Sequence, residues 1–148
     1  MVDVKVLSLP PLPDGVDVHV VAMTDRLLQQ VRQALLAQDW DGLRTSHFRL
    51  LGCVPPGGTT ITELAELLFM TKQAVGQFVA QLEDTGHLVV RTGEPDRRRR
   101  VVLRSEEGDR VVARVGATVE ALEDHFRELV GSQEYTVFRR VLERIARA

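Results

Sequence analysis

Arginine and glutamine carry most of the chemistry available to this sequence. Four consecutive guanidiniums, Arg97, Arg98, Arg99 and Arg100, follow Asp96 and the turn-forming run Gly93-Glu94-Pro95. Like charges at this density repel and cannot be buried together, so the run requires an anionic partner or open water. Upstream, Lys72, Gln73, Gly76, Gln77, Ala80 and Gln81 recur at spacings that place them on the outer side of a helix, and acids enter only at its far end, as Glu83 and Asp84. An ordinary solvated face mixes acids and bases. Amides with one cation instead suit a helix that enters a major groove by its N-terminal half, glutamine pairing with an adenine edge and Lys72 with a phosphate or guanine. This is recognition chemistry. No phosphate-binding glycine loop, nucleophile–base pair or carboxylate pair stands at meaningful spacing, so neither a catalytic residue nor an enzyme is expected. His19, His87 and His125 lack cysteine or acidic partners at metal-ligand spacing, and neither a metal nor a cofactor is expected.

The charge distribution agrees with that location. The chain of 148 residues has a formal net charge of -2, so positive charge does not coat it. Residues 1–60 carry five basic and six acidic side chains, 61–104 carry seven and six, and 105–148 carry seven and nine. Only the middle segment is net positive, and Arg91, Arg97 to Arg100 and Arg104 fall within one short part of it. An anionic partner is expected to dock there. Cys53 is the single cysteine, which excludes an intrachain disulfide. No apolar run is long enough to span a membrane, and residues 1–14, with Pro10, Pro11 and Pro13, lack the basic start and apolar stretch of a secretory signal. The expectation is a cytoplasmic protein with a flexible N-terminal lead.

Periodicity supplies the elements that position these side chains. Val21, Leu28, Val31 and Leu35 predict a first helix ending near Gln38. Leu43, His47, Leu50, Leu51 and Val54 predict a second from about Leu43 to Cys53, closed by Pro55-Pro56-Gly57-Gly58. Thr60-Ile61-Thr62-Glu63 reads as a capping box for a short third helix with Ile61, Leu64, Ala65 and Leu68 inward. Thr71 is the N-cap of the next, with Met70 and Val75 as its hydrophobic staple, and Gly86 ends it. His87 to Arg91 and Arg100 to Arg104 read as two strands joined by the arginine-bearing loop. After Ser105, the series Val112, Val115, Val119, Leu122, Phe126 and Leu129 predicts a long helix packed along a helical seam and ending at Gly131. Ser132 is then expected to cap a last helix carrying Phe138, Val141, Leu142 and Ile145 on its inner face.

Two positions in this scheme are costly unless they are used. Glycine inside a helix is about 1 kcal/mol worse than alanine, so Gly76 implies a close approach, either to a DNA backbone or to a neighbouring helix. The arginine run follows the glutamine-bearing helix by one short strand. A hairpin at that distance can lay arginine into the adjacent minor groove or along phosphates, with Asp96 bracing Arg98 by an ion pair. Read by themselves, the same arginines also fit a solvated hairpin tip or an acidic protein partner.

The segment TITELAELLFMTKQAVGQFVAQLEDTGHLVVRTGEPDRRRRVVLRSEEG resembles the winged helix-turn-helix of the MarR family of bacterial transcriptional regulators. The resemblance rests on Thr60, Glu63, Leu64 and Ala65 at the helix entry, Leu82, Glu83 and Gly86 at a helix end, Asp96 and Arg98 in the wing, and Ser105 and Gly108 at the restart. It implies a mainly α fold with a small β-hairpin wing. On that pattern residues 15–148 form a single domain, with a winged helix-turn-helix over about 42–104 and dimerisation helices over 15–40 and 105–148. It further implies a homodimer that binds a pseudo-palindromic double-stranded DNA operator, usually as a repressor, with release by a small phenolic or other lipophilic effector. Thr71, Lys72, Gln73, Gly76, Gln77 and Gln81 would meet the DNA with Arg97, Arg98, Arg99 and Arg100, while His47, with Trp40 nearby in sequence, lies in the region that borders the family's effector pocket. Read by themselves, His47 fits better as a helix residue with a satisfied hydrogen bond and Trp40 as packing at a helix junction. Many relatives carry Ser or Thr and then Arg where this chain has Gly76 and Gln77, so the resemblance does not carry over a base preference. The cysteine of oxidant-sensing relatives lies in the first helix. Cys53, in the second, is expected to be a small buried residue. The alternatives are a winged-helix module for protein contact and a sequence-indifferent DNA-binding protein.

Overall fold

In a computed structural model that describes residues 11, 14, 19–92 and 100–148, the chain forms α1 (Val20–Leu36), α2 (Thr45–Gly52), α3 (Ile61–Leu68), α4 (Lys72–Asp84), β1 (Leu88–Thr92), β2 (Arg100–Arg104), α5 (Glu106–Val130) and α6 (Ser132–Ala146). Helices dominate, and among the described residues the only sheet is the antiparallel pair β1–β2. The residues fall into two compact units, one of residues 39–115 and one of residues 1–38 with 116–148.

Local chemistry sets the element boundaries of the first unit. Thr60 Oγ1 accepts from the Glu63 amide at 3.2 Å while Glu63 Oε2 accepts from the Thr60 amide at 2.7 Å, the reciprocal box that starts α3. Thr71 Oγ1 accepts from the Ala74 amide at 3.2 Å and starts α4. At the far end Gly86 adopts φ +78°, and the His87 amide donates to the Leu82 carbonyl at 2.8 Å, which turns the chain sharply into β1. Leu50, Leu51, Val54, Leu64, Leu68, Val75, Val79, Leu82, Leu88 and Val102 are buried together beneath α4 and the hairpin. The hairpin register pairs Leu88 with Arg104, Val90 with Val102 and Thr92 with Arg100. Thr59 adds a bridge to Val102, which requires Gly58: a Cβ there would lie 2.6 Å from Val101 Cγ1.

The restart after the hairpin depends on the tightest packing in this unit. Ser105 Oγ donates to the Gly86 carbonyl at 2.6 Å and accepts from the Gly108 amide at 3.1 Å, so one hydroxyl joins the end of α4 to the start of α5. A Cβ on Gly108 would sit 2.2 Å from the His87 carbonyl oxygen, a contact with rigid backbone. Ser105 and Gly108 therefore act as a pair: one caps the helix and the other lets it approach.

In the second unit Ala34, Leu35, Leu122 and Tyr135 are buried, together with Thr118 at 1% exposure. Gln38 Nε2 donates to Thr118 Oγ1 at 2.8 Å, so this buried hydroxyl is satisfied. Along α5 the buried positions are Gly108, Val111, Thr118 and Leu122, and of the predicted series Leu122 alone is among them. Val112, Val115, Val119 and Phe126 are half-buried and Leu129 is exposed.

Other boundaries also shift. α1 stops at Leu36 rather than near Gln38, and its Val21 is 80% exposed rather than inward. α2 is shorter than predicted because Asp41, at φ 50°, and Gly42, at φ 84°, hold a turn ahead of it. The last helix is preceded by Gly131 at φ 93° as its N-cap, with no side-chain cap bond, so Ser132 is its first residue and not its cap. Cys53 is half-buried at the C-cap of α2 rather than enclosed in a core. No helix among the described residues is long and apolar enough to cross a membrane.

Candidate nucleic-acid interface

Val75, Val79 and Leu82 bury one side of α4, and the opposite side is left to Lys72, Gln73, Gln77, Ala80 and Gln81, all exposed. Thr71, at the N-cap, is exposed as well and has its hydroxyl committed to the helix end. Gly76 lies between Gln73 and Ala80 on this face, and a Cβ built on it would meet nothing within 4 Å. Of the two causes that the sequence allows for this glycine, packing against a neighbouring helix of the same chain is therefore excluded. The first turn of α4 adds unsatisfied backbone donors and the positive end of the helix dipole.

α4 is fixed to the hairpin and to α2 by polar contacts at its C-terminal half. Glu83 Oε1 accepts from the Val90 amide at 3.2 Å, which ties the last turn of α4 to β1. Gln81 Oε1 lies 3.4 Å from His47 Nε2, while His47 Nδ1 accepts from the Arg44 amide at 3.0 Å. That pairing fixes the tautomer, with the proton on Nε2 directed at Gln81. The His47 ring also stands edge-on to Phe78, 5.6 Å between centroids. His47 thus couples α2 to α4 and is not a free wall residue.

The hairpin ends at the register pair Thr92–Arg100, where the Arg100 side chain is exposed. Arg91, also exposed, stands opposite Val101. Asp96, Arg97, Arg98 and Arg99, with the ion pair expected between Asp96 and Arg98, lie outside the described residues. Arg104 has a different role from the rest of the cluster. Its side chain is 15% exposed, Nη1 donates to the carbonyls of Val54 at 2.6 Å and Leu51 at 3.3 Å, and Nε pairs with Asp109 at 2.6 Å. This cation closes the C-terminal end of α2, where unpaired carbonyls favour positive charge, and is unavailable to an outside anion. Arg110 is neutralised by Glu107 and Glu106, whose hydrogen bonds raise the pKa of its guanidinium above the usual value. Arg104 and Arg110 are thus committed within the fold, while Lys72, Arg91 and Arg100 stay exposed at the start of α4 and on the hairpin. Sequence patterning passes over Arg49, an exposed residue of α2 whose Nη2 approaches the Leu68 carbonyl at 3.4 Å, beside the turn between α3 and α4.

Trp40 is only 6% exposed, with the Phe48 ring 4.6 Å away and the Arg114 guanidinium over its own ring at 4.1 Å. The neighbouring cavity, lined by Trp40, Leu43, His87 and Arg110 among others, holds about 80 Å³. A benzene-sized ligand occupies a cavity of about 150 Å³, so a phenolic effector does not fit there as it stands. Among the described residues no cluster of histidine, cysteine and carboxylate side chains could hold a metal ion.

Comparison with known proteins agrees with this geometry. The model of the MarR family matches residues 41–99, and no curated protein sequence matches the chain. Among solved structures, the transcriptional repressor CouR of Rhodococcus jostii RHA1, bound to a 23-mer DNA duplex, superposes with a TM-score of 0.68 at 23% identity, over 86% of this chain and 92% of CouR. FabT of Streptococcus pneumoniae, in complex with DNA, gives 0.73 at 14% identity over 86% and 90%. The PcaV regulator of Streptomyces coelicolor, with its natural ligand, gives 0.68 at 21% identity over 92% and 99%. The chain has the fold of these regulators, and the match to the MarR family model over residues 41–99 falls on the segment that holds α2, α3, α4 and β1.

Proposed function

We propose that this protein is a homodimeric, sequence-specific DNA-binding transcription regulator that represses from a pseudo-palindromic operator. The observation that carries the reading is the exposed face of α4: amides, a cation and an open glycine, with no acid before Glu83. In this reading Lys72, Gln73, Gln77 and Gln81 meet base edges and phosphates in the major groove, and Thr71 and Gly76 let the helix end approach. Arg97, Arg98, Arg99 and Arg100 grip the flanking backbone or minor groove, with Asp96 bracing Arg98. A second copy is supported by the apolar side chains that α1 and α6 leave exposed, among them Val20, Leu28, Phe138, Val141 and Ile145. A two-fold dimer sets two recognition helices about 34 Å apart, one turn of the duplex. The reading assigns no catalytic role and no cofactor to the chain.

Release by a lipophilic or phenolic effector is part of the proposal, supported by PcaV with its natural ligand and CouR bound to p-coumaroyl-CoA. Because Trp40 and His47 are already engaged, an effector that used them would have to break the Trp40–Arg114 stacking or the His47–Gln81 pair.

Selection of bound sequences from a random duplex pool tests the reading. A palindromic consensus is expected. Arg98→Ala should then weaken binding and reduce the salt slope by about one, while Gln77→Ala changes base preference at one position in each half-site. Salt-sensitive retention without sequence preference would instead support a non-specific DNA coat, and failure to bind any duplex would leave an acidic protein partner for the arginines.

A further inference from the structure

Phe69 combines two unfavourable features at the turn between α3 and α4. Its backbone lies in the left-handed region, φ 54° and ψ 45°, where glycine is free of penalty and a side chain is not. Its ring is 93% exposed, more than any other large apolar side chain among the described residues. The conformation itself is the ordinary close of a helix, with the Met70 amide donating to the Ala65 carbonyl at 2.9 Å and the Phe69 amide to Glu66 at 3.3 Å. Glycine would make the same turn. The fold therefore gives no reason for an aromatic ring here.

The surroundings identify what the ring meets. Phe69 stands two residues before the N-cap Thr71, so it adjoins the end of α4 that carries Lys72 and Gln73. The guanidinium of Arg49 reaches the carbonyl of Leu68, the residue next to Phe69. Arg49, Lys72 and the backbone donors that begin α4 give this edge a positive character, and Glu66, one turn back on α3, is the acid that limits it. An apolar ring set among cations fits a surface that is itself apolar between anions, which describes deoxyribose and the thymine methyl beside phosphates.

We propose that Phe69 is a DNA-contacting residue of this chain, packing against a sugar or thymine methyl where α4 enters the groove, with Arg49 on the adjacent phosphate. This rests on the DNA-binding reading of α4. The test measures, for the full chain on its selected operator, affinity across a salt series together with thermal midpoints. Phe69→Gly removes the ring and the strain together, so the expected result is opposite in sign for the two readouts: a midpoint raised by about 3 °C and an affinity lowered about tenfold, with the salt slope unchanged. Arg49→Ala should lower affinity and reduce the slope by about one. Unchanged affinity in Phe69→Gly on an operator that Arg98→Ala still weakens would overturn the inference and leave the parent reading intact. So would a change in oligomeric mass in place of affinity, which would make Phe69 a protein contact. A parent protein that binds no duplex would remove both.

Discussion

Substituting Gly76 separates a site built for DNA from an accident of composition. A Cβ at this position meets no protein atom within 4 Å, so the change to alanine introduces no clash, and the φ of Gly76 lies outside the left-handed region. Only the helix propensity term remains, about 1 kcal/mol in favour of alanine. For a chain of this size that is a rise in melting temperature of about 3 °C, read by circular dichroism at one fixed protein concentration because a dimer's midpoint depends on it. If α4 lies in a groove with Gly76 against a phosphate or sugar, the added methyl lifts the helix end and loosens the contacts of Gln73 and Gln77. Pairings of that kind are worth about 1–3 kcal/mol each, so affinity on the selected operator, followed by fluorescence anisotropy at constant salt, should fall about tenfold or more. A lower melting temperature would mean that something in the assembled protein already covers Gly76. A higher one with unchanged affinity would remove the close approach from the argument.

Other substitutions test the frame that holds this face. Gly108→Ala forces a methyl to within 2.2 Å of the His87 carbonyl, and because that neighbour is rigid backbone it should destabilise by about 3 kcal/mol, a fall of roughly 9 °C in a thermal melt. Arg104→Met strands the Leu51 and Val54 carbonyls and frees Asp109; the loss should be about 2–3 kcal/mol in denaturant titration, with the DNA salt slope unaltered, which separates it from Arg98→Ala. Thr60→Val removes a cap that receives the Glu63 amide and should cost about 1 kcal/mol by the same titration without altering operator sequence preference.

The sequence is most legible where a side chain acts on its own backbone. Thr60 with Glu63, Thr71 and Gly86 each announce a helix end by chemistry completed within a few residues, and α3 and α4 accordingly begin where expected. Legibility fails where a distant partner decides. Thr118 is polar and interrupts an apolar series, yet it is the most buried position of its stretch of α5 because Gln38 supplies its hydrogen bond across a wide sequence separation. Arg104 looks in the sequence like one more member of a free basic cluster. The carbonyls that hold it come from the end of α2, far upstream in the chain. Trp40 and His47 read in the sequence as packing and hydrogen-bonded residues, but the rings and guanidinium that engage them lie on α2, α4 and α5 and could not be named from it. Their pairings follow from tertiary packing and leave no local trace.

Gly76 and Phe69 form a complementary pair of departures from the most stable sequence. At position 76 the backbone is helical and the space open, which favours alanine, and the chain has glycine. At position 69 the backbone is left-handed and the surroundings solvent, which favours glycine, and the chain has phenylalanine. Each exchange gives up on the order of 1 kcal/mol of folding stability, a noticeable share of the 5–15 kcal/mol available to a typical domain. The two positions flank Thr71, Lys72 and Gln73, the start of the helix proposed to enter the groove. Random drift could produce one such departure. Two of opposite kind at the same end of one helix imply a requirement outside the fold: a partner close enough to exclude a methyl at 76 and apolar enough in places to cover a ring at 69. A duplex meets both conditions, since backbone and sugar alternate along the same groove wall. The double variant Phe69→Gly with Gly76→Ala should therefore have the highest melting temperature of the set and the weakest operator affinity. If its stability rises while its affinity holds, no such partner is needed.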